Sequence, residues 1–124
     1  MNSAVLFLTI ALGVHHSIAG VYDNTRQVTI DGVVAEFHFV NPHPFVLVDV
    51  RNGRWKLELD NLSELVEVGM TKFTLKPGDR IVVSGSPARS NSPPSMYVMI
   101  LDRPSDGFRY EQVGTSPRVH FPGK

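Results

Sequence analysis

The sequence predicts an all-β domain with one short helix, and three observations support this fold class. Five segments carry β-branched and aromatic residues at alternating positions, which is typical of half-buried strands. Residues 61–69 have the capping and apolar spacing of a helix, and they follow the third of these segments. The order β1-β2-β3-α-β4-β5 is that of the OB-fold, a five-stranded barrel, with a small β-sandwich as the alternative. The five segments are residues 26–40, 45–50, 55–60, 80–85 and 96–101.

The first predicted strand, residues 26–40, is long and interrupted by Asp31-Gly32, which indicates a bend at a glycine bulge. Pro42 and Pro44 follow it. Because proline cannot donate to a β-ladder and restricts the residue before it, we expect the chain to turn at residues 41–44.

The second and third strands form a predicted hairpin. Asn52-Gly53 between them is the pair that a tight type I′ turn needs. The return strand alternates strictly, so one face is expected in the core and the other in water. Its apolar face carries Trp55, Leu57 and Leu59, and its charged face carries Lys56, Glu58 and Asp60.

The predicted helix begins at an Asn61 cap, carries Glu64 in its first turn and stops at Gly69. Residues 75–79 form a turn before the fourth strand, and residues 87–95 form a loop before the fifth. Residues 108–113 are a candidate for a further strand, and a mobile tail is expected after them.

Composition excludes several functions. The chain of 124 residues has no cysteine, so disulfides, thiolate chemistry and cysteine-bound zinc are ruled out. Twelve basic and twelve acidic residues cancel, which makes nucleic-acid binding an unfavoured role. Neither a nucleophile elbow nor a glycine-rich phosphate loop can be read, so we expect a protein that is not an enzyme.

An apolar run from Ala4 to Val14, followed by small residues suitable for cleavage, predicts a signal peptide. The run is too short to span a bilayer. We therefore expect a periplasmic or secreted protein with no membrane span in its mature form; a buried N-terminal strand or helix is the alternative. Small residues permit cleavage at 13/14 or at 19/20, and spacing alone slightly favours the second. Cleavage at 19/20 discards His15 and His16.

His15, His16 and His43 are the candidate metal ligands. If Val14 is the first mature residue, its amine, two backbone amides and the His16 imidazole can hold Cu(II) or Ni(II) in a square plane. His43 lies between two prolines, which hold its ring at the barrel rim with little entropy to lose on binding. The alternative for His43 is a structural role, packing on Phe45 or bonding to a backbone carbonyl.

Phe45, Trp55 and Glu58 form a candidate surface for a protein or small-molecule partner at the barrel rim. Aromatic residues at alternating positions belong more often to a core, and carboxylates along a strand belong more often to a solvated face. As a partner surface, this rim is the basis of the alternative function, that of a structural or protein-interaction domain of unknown ligand.

Several motifs together resemble the exported bacterial family called domain of unknown function 6152, over residues 15 to about 103. They are His15-His16-Ser17-Ile18-Ala19, Tyr22-Asp23, Asn41-Pro42-His43, Gly69-Met70-Thr71, Leu75-Lys76-Pro77-Gly78-Asp79 and Gly85-Ser86-Pro87-Ala88. The resemblance implies no activity. It does imply that the histidine pair stands at or next to the mature N-terminus, which reverses the spacing preference and favours cleavage at 13/14. This chain departs from the family pattern in having Val14, not alanine, before the pair.

The resulting organisation is a signal peptide at residues 1–14, an OB-like barrel at residues 15–112 and the mobile tail at residues 113–124. The function expected is that of an exported, non-catalytic binding module that binds copper or another late transition metal through its N-terminal histidines.

Overall fold

The computed structural model of the protein describes residues 18–90 and 93–123, and these ranges contain seven strands, one helix of six residues and a single helical turn at residues 18–21. The elements are β1 Val28–His38, β2 Phe45–Val50, β3 Gly53–Glu58, α1 Leu62–Glu67, β4 Arg80–Pro87, β5 Ser95–Arg103, β6 Phe108–Val113 and β7 Ser116–His120. Within this part of the chain, no helix is both long enough and apolar enough to cross a membrane.

The first five strands close into a barrel. Antiparallel pairs run in the order β3-β2-β1-β4-β5, and a parallel pairing between β3 and β5 joins the two ends. This connectivity, with α1 between β3 and β4, is the OB-fold arrangement, so the predicted fold class is confirmed. The strands β6 and β7 extend the sheet beyond β5.

The core fills the barrel with side chains from alternate strand positions and from α1. In β2 and β3, Val46, Val48 and Leu57 are fully buried, and their neighbours along each strand point outward. Leu65 is the buried residue of α1, where the Asn61 side chain accepts a hydrogen bond from the Glu64 N–H at 2.9 Å. The predicted helix and its cap are confirmed.

The bend in β1 is three residues from its predicted place. Gly32 stays in register with Ile81 of β4, and the irregularity in the pairing with β2 falls between Val34 and Glu36. The prediction of a bulge at Asp31-Gly32 was therefore wrong. Glycine is needed at position 32 because β2 crosses close to it: an added Cβ would lie 2.6 Å from the Asp49 carbonyl oxygen.

The β2–β3 hairpin is tight but does not use a type I′ turn. Val50 pairs with Gly53, which leaves Arg51 and Asn52 as the two loop residues. A type I′ turn requires positive φ at both central positions, and no residue other than glycine has positive φ in the described ranges. Gly53, at φ 144°, instead begins β3.

The C-terminal segment is a strand where a mobile tail was expected. β6 confirms the strand predicted at residues 108–113, and β7 pairs with it antiparallel. Val119 and Phe121 pack against the barrel core, and the Phe121 ring meets Phe108 edge-on at 5.7 Å. This apolar contact explains why a chain segment as short as β7 is held in place.

Candidate functional site

A cleft of about 570 Å³ lies on the outside of the barrel, where the segment between β3 and α1 forms the floor and four other parts of the chain form the walls. We call it the N-terminal cleft. Its walls come from the segment before β1, the β1–β2 turn, the outer side of β4 and β5, and the β6–β7 hairpin. The lining residues are Ile18, Ala19, Tyr22, Asn24, His43, Asp60, Asn61, Ser86, Tyr97, Met99, Gln112, Gly114 and Thr115.

The segment before β1 is docked on the barrel by its main chain. Residues 18–21 form one helical turn, closed by a 2.9 Å bond from the Tyr22 N–H to the Ile18 carbonyl. Tyr22 then forms a β-bridge with Ala88, and the Asp23 N–H donates to the Pro87 carbonyl at 2.8 Å. These bonds hold the segment against the end of β4 and fix one wall of the cleft.

Arg89 adds a second set of contacts to the same segment. Its N–H donates to the Val21 carbonyl at 2.8 Å, and its Nε donates to the Ala19 carbonyl at 3.1 Å. The chain around residue 19 is therefore part of the folded domain.

Tyr22 is the side chain that anchors this segment. It is only 5% exposed, its hydroxyl donates to Glu58 Oε1 at 2.7 Å, and its ring centroid lies 5.8 Å from that of Tyr97. Burial, followed by the Glu58 carboxylate, raises the pKa of Tyr22 well above its ordinary value. The tyrosine stays protonated and remains a donor to Glu58 throughout the neutral pH range.

Among the described residues, one ring nitrogen of His43 makes a hydrogen bond and the other makes none. Its Nδ1 lies 3.0 Å from the Leu59 carbonyl oxygen, which can only accept, so Nδ1 carries the proton in this bond. Nε2 then has the free lone pair. Glu58 Oε2 lies 3.7 Å from Nδ1 and adds a favourable charge behind the ring.

Asp60 is a buried carboxylate at the floor of the cleft. It is 7% exposed, and its Oδ1 accepts from the Asn61 N–H at 2.6 Å. Gln112 Nε2 donates to Asp60 Oδ2 at 2.8 Å, and the Tyr110 hydroxyl donates to Gln112 Oε1 at 3.0 Å. The Tyr110 oxygen also accepts the Asp60 N–H at 3.1 Å, which closes a ring of hydrogen bonds between β6 and the segment that joins β3 to α1.

Comparison with known families gives a match over most of the chain. A family model described as Family of unknown function (DUF6152) matches residues 4–96. The chain belongs to this family. A search of the curated proteins finds no significant match.

The DUF6152 match bears directly on the cleft. The matched range contains Tyr22, His43, Glu58 and Asp60, and it ends within β5, before the β6–β7 hairpin. The resemblance noted in the sequence is thus confirmed, and the family description itself carries no activity.

The residues that line the cleft of this DUF6152 member carry a negative formal charge. Asp60 is their one carboxylate, and none of the thirteen residues lining this described part of the surface is lysine or arginine. Burial raises the pKa of Tyr97 to about 12, and the charges of Asp60, Glu58 and Glu64 add to the shift. A positively charged group is therefore favoured there over an anion.

The three residues predicted as a partner surface do not form one patch. Phe45 and Glu58 are directly paired across β2 and β3 on the outside of the barrel, while Trp55 lies on the opposite face and packs against the core. The Phe45 ring is already engaged, because His38 stacks on it at 4.5 Å and Lys56 Nζ lies 4.5 Å from its centroid.

The three candidate metal ligands divide differently. His43 lines the cleft, whereas His15 and His16 lie outside the described residues. Across residues 18–90 and 93–123, no group of three histidine, aspartate or glutamate side chains is arranged to hold a metal ion. His43 can supply one ligand, and it is the one histidine among the described residues that line the cleft.

The residue pattern does not predict Tyr22 as a site residue, and it predicts Asp60 on the solvated face of its strand. The local pattern gives no signal for either, because their hydrogen-bond partners are far away in sequence: Glu58 is 36 residues from Tyr22, and Gln112 is 52 residues from Asp60.

Proposed function

We propose that this protein is an exported, non-catalytic binding module that holds Cu(II) or another late transition metal ion in the N-terminal cleft, through His43 together with His15 and His16. One observation carries the proposal. Ile18 and His43 line the same cleft, and only Ser17 separates Ile18 from the histidine pair.

Chain length is compatible with this arrangement. Two residue steps connect Ile18 to His16, and an extended chain spans at most about 3.6 Å per step, or roughly 7 Å in all. The imidazole adds several ångströms of reach. This reach supports a site that His16 shares with His43, since Ile18 and His43 line the same cleft.

The His43 ring has the environment of a ligating histidine. In metal sites, the ring nitrogen that does not bind the metal usually donates to a carbonyl or carboxylate, which fixes the tautomer and the ring orientation. Here Nδ1 does so to Leu59, with Glu58 close by, and Nε2 is left with its lone pair. Imidazole nitrogen suits Cu(II), Ni(II) and Zn(II).

Cleavage at 13/14 is part of the proposal, and the packing of the segment supports it. Cleavage at 19/20 removes Ile18 and Ala19, which line the cleft, and breaks the contact of Ala19 with Arg89. Residues that belong to a discarded leader have no need of such contacts with the folded domain. Export itself rests on the apolar run from Ala4 to Val14.

The alternative function, partner binding through the aromatic rim, has less support. The Phe45 ring is engaged by His38 and Lys56, and Trp55 lies on the other face of the sheet. Phe45→Ala tests this alternative by partner capture.

The metal proposal is tested by isothermal titration of the protein beginning at Val14 with Cu(II). We expect His16→Ala and His43→Ala each to weaken binding by roughly tenfold to a hundredfold or more, since changes even to groups that only orient a metal ligand through a hydrogen bond have effects of that size. His120→Ala is the matched control, because His120 lies on β7 and does not line the cleft. It should bind as the unaltered protein does.

Electron paramagnetic resonance of the Cu(II) complex separates ligation from an indirect effect. Loss of one coordinating nitrogen in His43→Ala supports direct ligation. An unchanged spectrum and affinity in that variant contradict the role of the cleft, and weak binding that is unaffected by His16→Ala contradicts the metal function altogether.

A further inference from the structure

We propose that the part of the N-terminal cleft around Asp60 and Tyr97 binds a small organic ammonium ion, an amine attached to a short hydrocarbon body. This ligand goes beyond the proposed metal ion and does not depend on it.

The size of the cleft argues for a molecule. A water molecule takes about 30 Å³ of liquid volume, and a bound metal ion fills little more with its protein ligands in place. A cleft of about 570 Å³ lies within the 300–1,000 Å³ range of small-molecule sites. Most of its volume is left over after an ion is bound at His43.

The charge of the cleft selects a cation. Each Asp60 oxygen accepts one hydrogen bond within the protein, from Asn61 or from Gln112, and each keeps a second lone pair. The described residues lining the cleft contain no lysine or arginine to neutralise this carboxylate. An ammonium group donating to Asp60 would make a charge-assisted bond, whereas a carboxylate or phosphate would be repelled.

The apolar walls favour a hydrocarbon body next to that charge. The Tyr22 and Tyr97 rings lie 5.8 Å apart at an interplanar angle of 46°, and Met99 and Ile18 contribute aliphatic surface. Tyrosine rings also attract cations placed over their faces. A fully hydrated inorganic ion can use neither the aliphatic walls nor their shape.

Three probes of nearly equal size and different charge test the inference: phenethylamine, 2-phenylethanol and 3-phenylpropionate. Each is titrated into the protein beginning at Val14 with a chelator present, and binding is followed by calorimetry and by NMR chemical shifts. We expect phenethylamine to bind at least about tenfold more tightly than the alcohol and the carboxylate most weakly. Equal binding of amine and alcohol, or no binding of the amine, overturns the proposal.

Charge variants locate the site. Thr115 lines the cleft at an exposed position, so Thr115→Lys should abolish the preference for the amine, while its exposed neighbour Ser116 provides the control Ser116→Lys. Asp60→Asn should reduce amine affinity at least about tenfold, with Asp31→Asn, far from the cleft, as its control. A retained preference in Thr115→Lys overturns the assignment even if Asp60→Asn fails to fold.

The chelator makes the two proposals separable. Amine binding without metal supports this inference whatever the copper titration gives, and copper binding without amine selectivity leaves the metal proposal standing while it refutes this one.

Discussion

Replacing Tyr22 with phenylalanine tests whether the N-terminal segment is held on the barrel as the structure describes. Tyr22→Phe keeps the ring that packs beside Tyr97 and removes the hydroxyl that donates to Glu58 Oε1 at 2.7 Å. The Glu58 side chain, 19% exposed, then loses a hydrogen-bond donor in a place where water can replace it only partly.

The magnitude follows from these contacts. A hydrogen bond to a charged group contributes about 1.5–3 kcal/mol to stability. Because water retains some access to Glu58, the lower end applies, and we expect a loss of about 1.5 kcal/mol in the free energy of unfolding. In a domain of this size, each kcal/mol corresponds to roughly 4–8 °C in Tm. The variant should therefore unfold roughly 6–12 °C below the unaltered protein.

Thermal and urea unfolding of four proteins measure this effect: unaltered, Tyr22→Phe, Glu58→Gln and the double variant. The cycle isolates the pair interaction, and a coupling free energy of about 1 kcal/mol or more is expected for groups in direct contact. Additive effects, or a Tm for Tyr22→Phe within experimental error of the unaltered protein, would refute the reasoning that this bond anchors the segment.

Three further predictions concern the barrel. Gly85→Ala should lower the free energy of unfolding by about 3 kcal/mol or more, because the added Cβ would collide with the Tyr97 carbonyl oxygen. Gly20→Ala is the control and should have little effect, because its added Cβ meets nothing within 4 Å. Urea unfolding compares the two variants. The Arg103 guanidinium holds the pKa of Asp106 below its ordinary 3.8, so the stability from this pair is present above that pH and is lost as the pH falls through the lowered value. Asp106→Asn should flatten the acid limb of the stability profile, and an unchanged limb would contradict the assignment. Burial raises the pKa of every tyrosine, so tyrosinate absorbance should stay low at pH 10 while the protein is folded. Stability should fall as the pH rises from 10 through the pKa values of the tyrosines in the folded protein. One tyrosine that titrates normally at pH 10 in the folded protein would argue against this packing. The tyrosines are Tyr22, Tyr97 and Tyr110.

The features that could be predicted from the sequence are those with local causes. Alternation of apolar and polar residues marks β2 and β3, and the Asn61 side chain marks the start of α1 through a bond to the backbone three residues later. These signals give the element order, and the order limits the barrel topology to few choices.

The features that were missed depend on distant contacts. The bend in β1 lies where its pairing with β2 shifts between Val34 and Glu36, and β7 is held by the packing of Phe121 on Phe108. Neither contact leaves a local pattern. The turn predicted from Asn52-Gly53 was wrong for a related reason. In the register of β2 and β3, Arg51 and Asn52 are the loop residues and Gly53 begins β3.

The candidate site shows the same division. The proline-flanked His43 could be singled out from sequence, and the structure adds its carbonyl partner and its place in the cleft. Tyr22 could not be recognised, because its role depends on Glu58 and Tyr97, which come from different strands.

One intact-mass measurement tests most directly the central proposal, that the protein is exported and that its mature form keeps the histidine pair and the segment from Ile18. The full chain is expressed with its own N-terminal segment, and the protein recovered from the periplasm or the medium is weighed. We predict a mass that begins at Val14, which retains His15, His16 and both cleft residues Ile18 and Ala19. A mass that begins at Gly20 would contradict the account, since it removes the proposed ligands and part of the cleft wall together.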